Sequence, residues 1–168
     1  LGLGSAVMAG VAVARAGIVG VMDADLSHPP AFVPVLYAAL RETGADMVVG
    51  SRYIRGGRIP VWPWARRVMS RLGCLAARPL VPLRDATSGF FLIRTDLVRR
   101  TSVEVSGFKI CLELLVRGGP DSLAEVPIRF DDRTAGESKM SRREAWGYFR
   151  QLISLYGVRF SGRGRRVR

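Results

Sequence analysis

Asp23 and Asp25 stand two apart, directly after the apolar run from Ile18 to Met22. In an extended chain that spacing puts both carboxylates on one side. Paired carboxylates suit a hard divalent cation, Mg²⁺ or Mn²⁺, that also takes phosphate oxygens. Such a cation offsets diphosphate charge and acts as a Lewis acid for its departure. A D-x-D pair also occurs in solvated turns, so its surroundings decide its meaning. Arginines recur near expected element ends: Arg52 follows the run Met47 to Gly50, Arg66 and Arg67 follow a stretch rich in glycine and proline, and Arg133 and Lys139 flank Thr134 to Ser138. Arginine grips phosphate through two parallel N–H donors and keeps its charge when desolvated, although any one of these residues also reads as solvated surface. Asp85-Ala86-Thr87-Ser88-Gly89-Phe90-Phe91 sets a carboxylate, two hydroxyls and a glycine before another apolar run. That arrangement fits contacts to a sugar ring or a polar turn entering a strand equally well.

These groups need a scaffold that brings them together. Ser5 is expected to cap a helix over 5–15 with Gly17 as its stop, and residues 18–22 read as a short buried strand. A helix over 31–42 tolerates Pro34 in its first turn and closes at Gly44, and 46–50 is a second strand. Residues 55–63, with Gly56, Gly57, Pro60 and Pro63, read as a loop, followed by a helix over 64–78 with Val68, Leu72 and Leu75 on one face. Strands over 90–93 and 123–130 and helices over 96–100 and 109–117 come next. Ser141, with Glu144 in the capping-box position, opens a helix over 141–156 that carries Trp146, Phe149, Leu152, Ile153 and Tyr156 on its apolar side. This alternation predicts an α/β sheet, mostly parallel, with ligands outside the carboxyl ends of its strands. Asp25 and Arg52 then face one crevice.

Composition narrows the chemistry. The 168 residues are 48% hydrophobic and 24% charged, as in a soluble globular domain with a core, and unlike a disordered, fibrous or disulfide-built chain. Cys74 and Cys111 are the two cysteines and are expected to be reduced. His28 is the single histidine, which removes His-rich metal sites and Ser-His or Cys-His catalysis and leaves oxygen to hold any metal. The net charge is +12, and Arg159, Arg163, Arg165, Arg166 and Arg168 crowd the last ten residues. Such charge attracts nucleic acid, anionic membrane or phosphorylated small molecules. The longest uncharged apolar run stops at Arg15, short of the roughly 20 residues a membrane span needs. No signal-peptide pattern is present, and a chain opening on Leu1 within an apolar helical pattern reads as truncated.

Five blocks, taken in order, resemble the polyprenol-phosphate (dolichol-phosphate) mannosyltransferase group of the family 2 glycosyltransferases. They are Asp23-Ala24-Asp25-Leu26-Ser27-His28-Pro29-Pro30, Val49-Gly50-Ser51-Arg52-Tyr53, Asp85 to Phe91, Glu125-Val126-Pro127-Ile128 and Gly136-Glu137-Ser138-Lys139. The resemblance implies a GT-A (Rossmann-like) α/β fold, here missing its N-terminal strands. Residues 1–158 are then the C-terminal two thirds of a catalytic domain, and 159–168 a basic tail. It also implies inverting transfer of mannose, or a related hexose, from a nucleotide sugar such as GDP-mannose to a polyprenyl phosphate. Asp23 and Asp25 would hold Mg²⁺ or Mn²⁺ on the donor diphosphate with help from Ser27. Arg52, Arg66 and Arg133, with Ser70 and Lys139, would surround the acceptor phosphate, and Asp85 with Ser88 would contact sugar or acceptor. A lipid phosphate is already anionic, so it needs positioning more than a strong base.

Family members begin with a strand and a nucleotide-base pocket that this chain lacks, so weak or no activity of the chain alone is expected. The expected partners are the nucleotide sugar, the lipid phosphate, the inner, cytoplasmic face of the membrane and a membrane protein; nucleic acid is not expected. Two other readings remain: a degenerate subunit that keeps the fold without the chemistry, and a basic nucleic-acid-binding domain. The latter requires aromatics interleaved with basic residues on one exposed face.

Overall fold

The computed structural model describes residues 2–60, 62–101, 109–131 and 142–161. Four strands, β1 (Ile18–Val21), β2 (Met47–Ser51), β3 (Phe91–Arg94) and β4 (Leu123–Pro127), form one sheet in the order β1-β3-β2-β4. β2 and β4 are parallel, but β3 runs antiparallel to both β1 and β2. The sheet is therefore mixed rather than mostly parallel. Residues 78–90 deliver the chain to the edge where β1 and β2 finish, so β3 must run back from there.

The alternation of a strand sorts the core. Met47 and Val49 on β2, with Phe91 and Ile93 on β3, pack on one sheet face against Ala77, Leu112, Leu115 and Leu155. Val48 and Leu92 point the other way, onto Leu36 and Leu40 of α2 (Phe32–Thr43). Every residue of central β2 is buried, whereas β1, at the sheet edge, is only partly so, contrary to the expected buried strand. Gly44 ends α2 in the left-handed region at φ 66, where glycine carries no Cβ penalty.

α1 spans Leu3–Val13, so Ser5 lies inside it and Gly2 takes the cap position. α3 (Trp64–Ala77) turns Cys74 and Ala77 inward and leaves Val68, Met69, Leu72 and Leu75 exposed. After α4 (Thr95–Arg100), α5 (Ile110–Glu113) widens into a π-helical turn, Leu114–Gly118, and residues 110–116 are all buried. α6 (Arg142–Phe160) lies against α3: the Tyr148 and Tyr156 hydroxyls each donate, at 2.7 Å, to the carbonyls of Gly73 and Ala76. Its Leu152 and Leu155 face the core, while Trp146, Phe149, Ile153 and Phe160 are exposed. α6 runs to Phe160, so its last turn includes Arg159, which the sequence reading assigned to the tail. Ser141, the expected cap, lies outside the described residues. Cys74 and Cys111 are free, buried thiols. No helix among the described residues is long and apolar enough to cross a membrane.

Candidate active site

The strand register explains why distant segments meet. Val21 and Val49 both pair with Phe91, and Ser51 pairs with Pro127. The carboxyl ends of β1, β2 and β4 thus share one sheet edge with the start of reversed β3. Asp23 and Asp25, Arg52, residues 85–90 and residues 128–131 all emerge there.

Asp25 and Ser27 form a tight turn. Asp25 Oδ1 accepts from the Ser27 amide at 3.0 Å and from the Ser27 hydroxyl at 2.5 Å. Leu26 between them sits at φ 62, a costly conformation for a bulky side chain and one that clusters where surroundings enforce function. Ser27 is fully buried, and its carbonyl accepts from the Asp131 amide at 3.0 Å. That bond holds Asp131 to the turn; Arg133 and Lys139 lie outside the described residues.

Asp23 has a different setting. Its side chain is 40% exposed and its Oδ2 is 3.6 Å from His28 Nδ1, which also accepts from the Asp23 amide at 3.4 Å. His28 is buried against Phe90 and Phe130, with ring centroids 5.3 and 5.0 Å away. Burial holds the imidazole below its ordinary pKa despite the pull of Asp23, so the ring is neutral at pH 7 and, through Nδ1, holds the Asp23 backbone amide rather than the carboxylate. On the other side Asp23 rests on Gly89: a Cβ there would come within 3.0 Å of Oδ2. The close approach that Gly89 permits is thus to a metal-candidate carboxylate.

Two carboxylates, one well exposed and one oriented by a hydroxyl, match the small protein share of a Mg²⁺ or Mn²⁺ site that takes its other oxygens from phosphate and water. Among the described residues no cluster of three His, Cys, Asp or Glu side chains offers a closed metal cage. The residues present fit a cation completed by substrate.

Arg52 and Asp85, treated separately in the sequence reading, are partners. Arg52 Nε and Nη2 donate to the two Asp85 oxygens at 2.7 Å each, and the Arg52 amide donates to Oδ2 at 2.9 Å. Asp85 is fully buried and Arg52 nearly so. Burial pushes the Asp85 carboxyl up, but the Arg52 guanidinium beside it wins and holds it below the usual range. Both Asp85 oxygens accept from Arg52, which fixes the direction of its guanidinium. The Arg52 guanidinium lies 5.4 to 5.5 Å from the ring centroids of Tyr53, Trp62 and Phe130. Arg66 stacks on the same Trp62 ring at 3.9 Å, so one indole gathers two phosphate-candidate cations. Ser70 lies beside the Tyr53 hydroxyl, whose pKa burial pushes up and that neighbour partly restrains. Ser88 is buried, and its hydroxyl donates to the Gly50 carbonyl at 2.7 Å, latching residues 85–90 to β2.

Sequence reasoning passed over Lys109. Burial lowers its pKa and Arg52 adds to the effect, while Asp23 and Asp85 oppose it. Its backbone is clamped by buried Gln151, which accepts from the Lys109 amide at 3.3 Å and donates to its carbonyl at 3.2 Å. Gln151 is in turn fixed by Glu113, at 3.0 Å. A signal existed: one of two lysines in the chain stands at the positive end of a helical run that is apolar from Ile110 to Val116 but for Glu113, where a cation is disfavoured. Trp62 and Tyr53 carried no such signal, because only the fold shows what they stack against.

Solved structures share this architecture. Glucosyl-3-phosphoglycerate synthase from Mycobacterium tuberculosis, in complex with Mn²⁺, UDP-glucose and phosphoglyceric acid, superposes with a TM-score of 0.65 at 21% identity, covering 94% of this chain and 55% of that one. A second structure of the same synthase gives 0.60 at 25% identity, over 92% and 54%. These are GT-A neighbours. In sequence, the chain is 37% identical over 158 residues to the dolichol-phosphate mannosyltransferase of Pyrococcus furiosus, covering 92% of this chain and 45% of the relative. It is 39% identical over 168 residues to the Saccharomyces cerevisiae enzyme of the same name, covering 95% and 62%. The chain thus spans about half the length of the curated relatives it matches. The Glycosyl transferase family 2 profile matches residues 1–102, more than half of the sequence, and the chain belongs to that family.

Proposed function

We propose that this chain forms the metal and acceptor side of an inverting glycosyltransferase that moves mannose from GDP-mannose to a polyprenyl phosphate. The observation that carries the reading is the meeting, at one sheet edge, of the Asp23 and Asp25 turn with the Arg52–Asp85 pair. Asp23 and Asp25 would hold Mg²⁺ or Mn²⁺, with Ser27 orienting Asp25 and with His28 and Gly89 fixing Asp23. When bound, the cation supplies positive charge against the donor diphosphate. Arg52, aimed by Asp85, would act with Arg66, Lys109, Ser70, Arg133 and Lys139 to hold the acceptor phosphate. An acceptor oxygen then forms the bond to the anomeric carbon as the bond to the diphosphate breaks on the opposite face. A phosphate oxygen carries no proton that must be removed, so alignment replaces a general base. Ser88 contributes through the 85–90 loop, holding its position rather than touching the sugar.

The long tail of such an acceptor requires approach to a bilayer. α3 and α6, side by side, expose Trp64, Val68, Leu72, Leu75, Trp146, Phe149, Ile153 and Phe160. Aromatic and aliphatic side chains mixed in this way suit a lipid interface, whereas single-stranded nucleic acid uses aromatics between basic groups. We place this face on the inner leaflet, with a membrane-protein partner compatible with the same orientation.

The test is transfer of radiolabelled mannose from GDP-mannose to a short polyprenyl phosphate in Mn²⁺. It is run with the chain alone and with the chain extended by the preceding segment of the Pyrococcus furiosus relative. The extended chain is expected to transfer and the chain alone to do so weakly or not at all. Full transfer by Asp25→Ala in the extended chain would refute the metal assignment.

A further inference from the structure

Beside Tyr53, on the α3 side, lies a cavity of about 380 Å³ lined by Tyr53, Arg71, Cys74, Leu75, Arg78 and Arg84. That size falls in the range of small-molecule sites. Arg71, Leu75 and Arg78 are four and three residues apart, which puts them on one face of α3 and its cap. Arg84 joins them from the loop that follows. No lining residue is acidic, and among the described residues none of the three guanidiniums is in an ion pair. The nearby carboxylate of Glu125 accepts from the amides of Arg84 at 2.9 Å and Asp85 at 3.0 Å and offsets at most one of the three positive charges. Cys74 adds no negative charge, since burial pushes its thiol up to about 11. Three like charges around one concavity, with a single carboxylate near them among the described residues, repel each other, and an anion bound among them removes that cost.

The cavity adjoins the acceptor-phosphate residues through Tyr53 and through Cys74, whose sulfur is 3.6 Å from Asp85, but does not share its arginines with them. None of Arg52, Arg66, Ser70 or Lys109 lines it. The Tyr53 ring marks the boundary, with Arg52 at 5.4 Å and Arg71 at 5.6 Å from its centroid. At the rim, Leu75 is 57% exposed and continues the apolar stripe of Val68 and Leu72. A bidentate anion site that opens onto an apolar helix face matches a phosphate joined to acyl chains. We propose that this cavity binds the headgroup of an anionic bilayer phospholipid, whose acyl chains run along Val68, Leu72 and Leu75. The proposal rests on the reading of the α3 and α6 face as membrane-directed. It adds a lipid site distinct from that of the acceptor.

Co-sedimentation with two kinds of vesicle separates the claims. Phosphatidylcholine vesicles report docking of the apolar face, and vesicles containing phosphatidylglycerol report the cavity. Arg71→Gln, Arg78→Gln and Arg84→Gln are each expected to weaken binding to anionic vesicles about twentyfold, with neutral-vesicle binding unchanged. Arg150→Gln, an exposed position on α6 over the same sheet face, is the control for diffuse attraction and should weaken anionic-vesicle binding by no more than about fivefold. Equal losses in Arg150→Gln and the cavity variants would overturn the proposal, as would cavity variants that bind like the parent. Full reversal of the anionic increment by millimolar inorganic phosphate, or by a short polyprenyl phosphate, would assign the cavity to free phosphate or to the acceptor and equally overturn it. Loss of binding to neutral vesicles as well would instead place the fault in the membrane-face reading. Thermal melting of each variant, expected to be unchanged at these exposed positions, guards against misfolding.

Discussion

Asp23 owes its position to the absence of a side chain at residue 89. A Cβ on Gly89 would meet both Asp23 oxygens and Cγ within 3.2 Å, so Gly89→Ala must move the carboxylate. We expect Gly89→Ala to weaken Mn²⁺ binding about tenfold in the presence of a nucleoside diphosphate, as the loss of groups that orient metal ligands typically does; titration calorimetry checks this. Asp85→Asn tests a different dependence. Removing one partner of a buried, bidentate pair leaves Arg52 charged and uncompensated, at a cost of about 3–5 kcal/mol. The melting temperature should fall by on the order of 10 °C, and an unchanged melt would show that the pair carries little stability. Lys109→Met removes a cation with no carboxylate partner among the described residues, so stability should hold while affinity for a short polyprenyl phosphate falls about tenfold. At this scale the sequence exposed the residue types but not their pairings. Arg52 and Asp85 were both legible as candidates, 33 positions apart. That they satisfy each other depends on β3 running backwards, which no local spacing encodes.

Among the elements, α3 and α6 show where patterning succeeds and where it misleads. Their helical periods were readable, and so was the apolar stripe of Val68, Leu72 and Leu75. Which way a stripe faces is a different matter. In α3 the residues turned to the core are the small Cys74 and Ala77, because Tyr148 and Tyr156 of α6 press close to its backbone at Gly73 and Ala76. The larger apolar side chains are therefore left outside. Leu72→Asp, exposed at 58%, should keep the melting temperature and weaken binding to phosphatidylcholine vesicles several-fold. A large drop in the melt would place Leu72 in a core instead. The strands were located within one to three residues from short apolar runs bounded by turn residues. Their directions were not, since parallel and antiparallel buried strands share the same composition.

For the whole molecule, the sheet edge is the organising feature. β1 and β2 end there and β3 begins there, so a D-x-D turn, an arginine and a polar loop converge from separate segments. α2 covers the opposite sheet face, and the outer sides of α3 and α6 are left exposed, the face we propose for a lipid surface. The account's central claim is that this edge carries metal-dependent mannosyl transfer to a lipid phosphate. It is tested most directly by offering the extended chain radiolabelled GDP-mannose and UDP-glucose in parallel, each with a short polyprenyl phosphate and with phosphoglyceric acid, in Mn²⁺. The account predicts label in the lipid phosphate from GDP-mannose, lost with Asp25→Ala and on chelation of the metal. Label from UDP-glucose in phosphoglyceric acid alone, or transfer indifferent to Asp25, would contradict it.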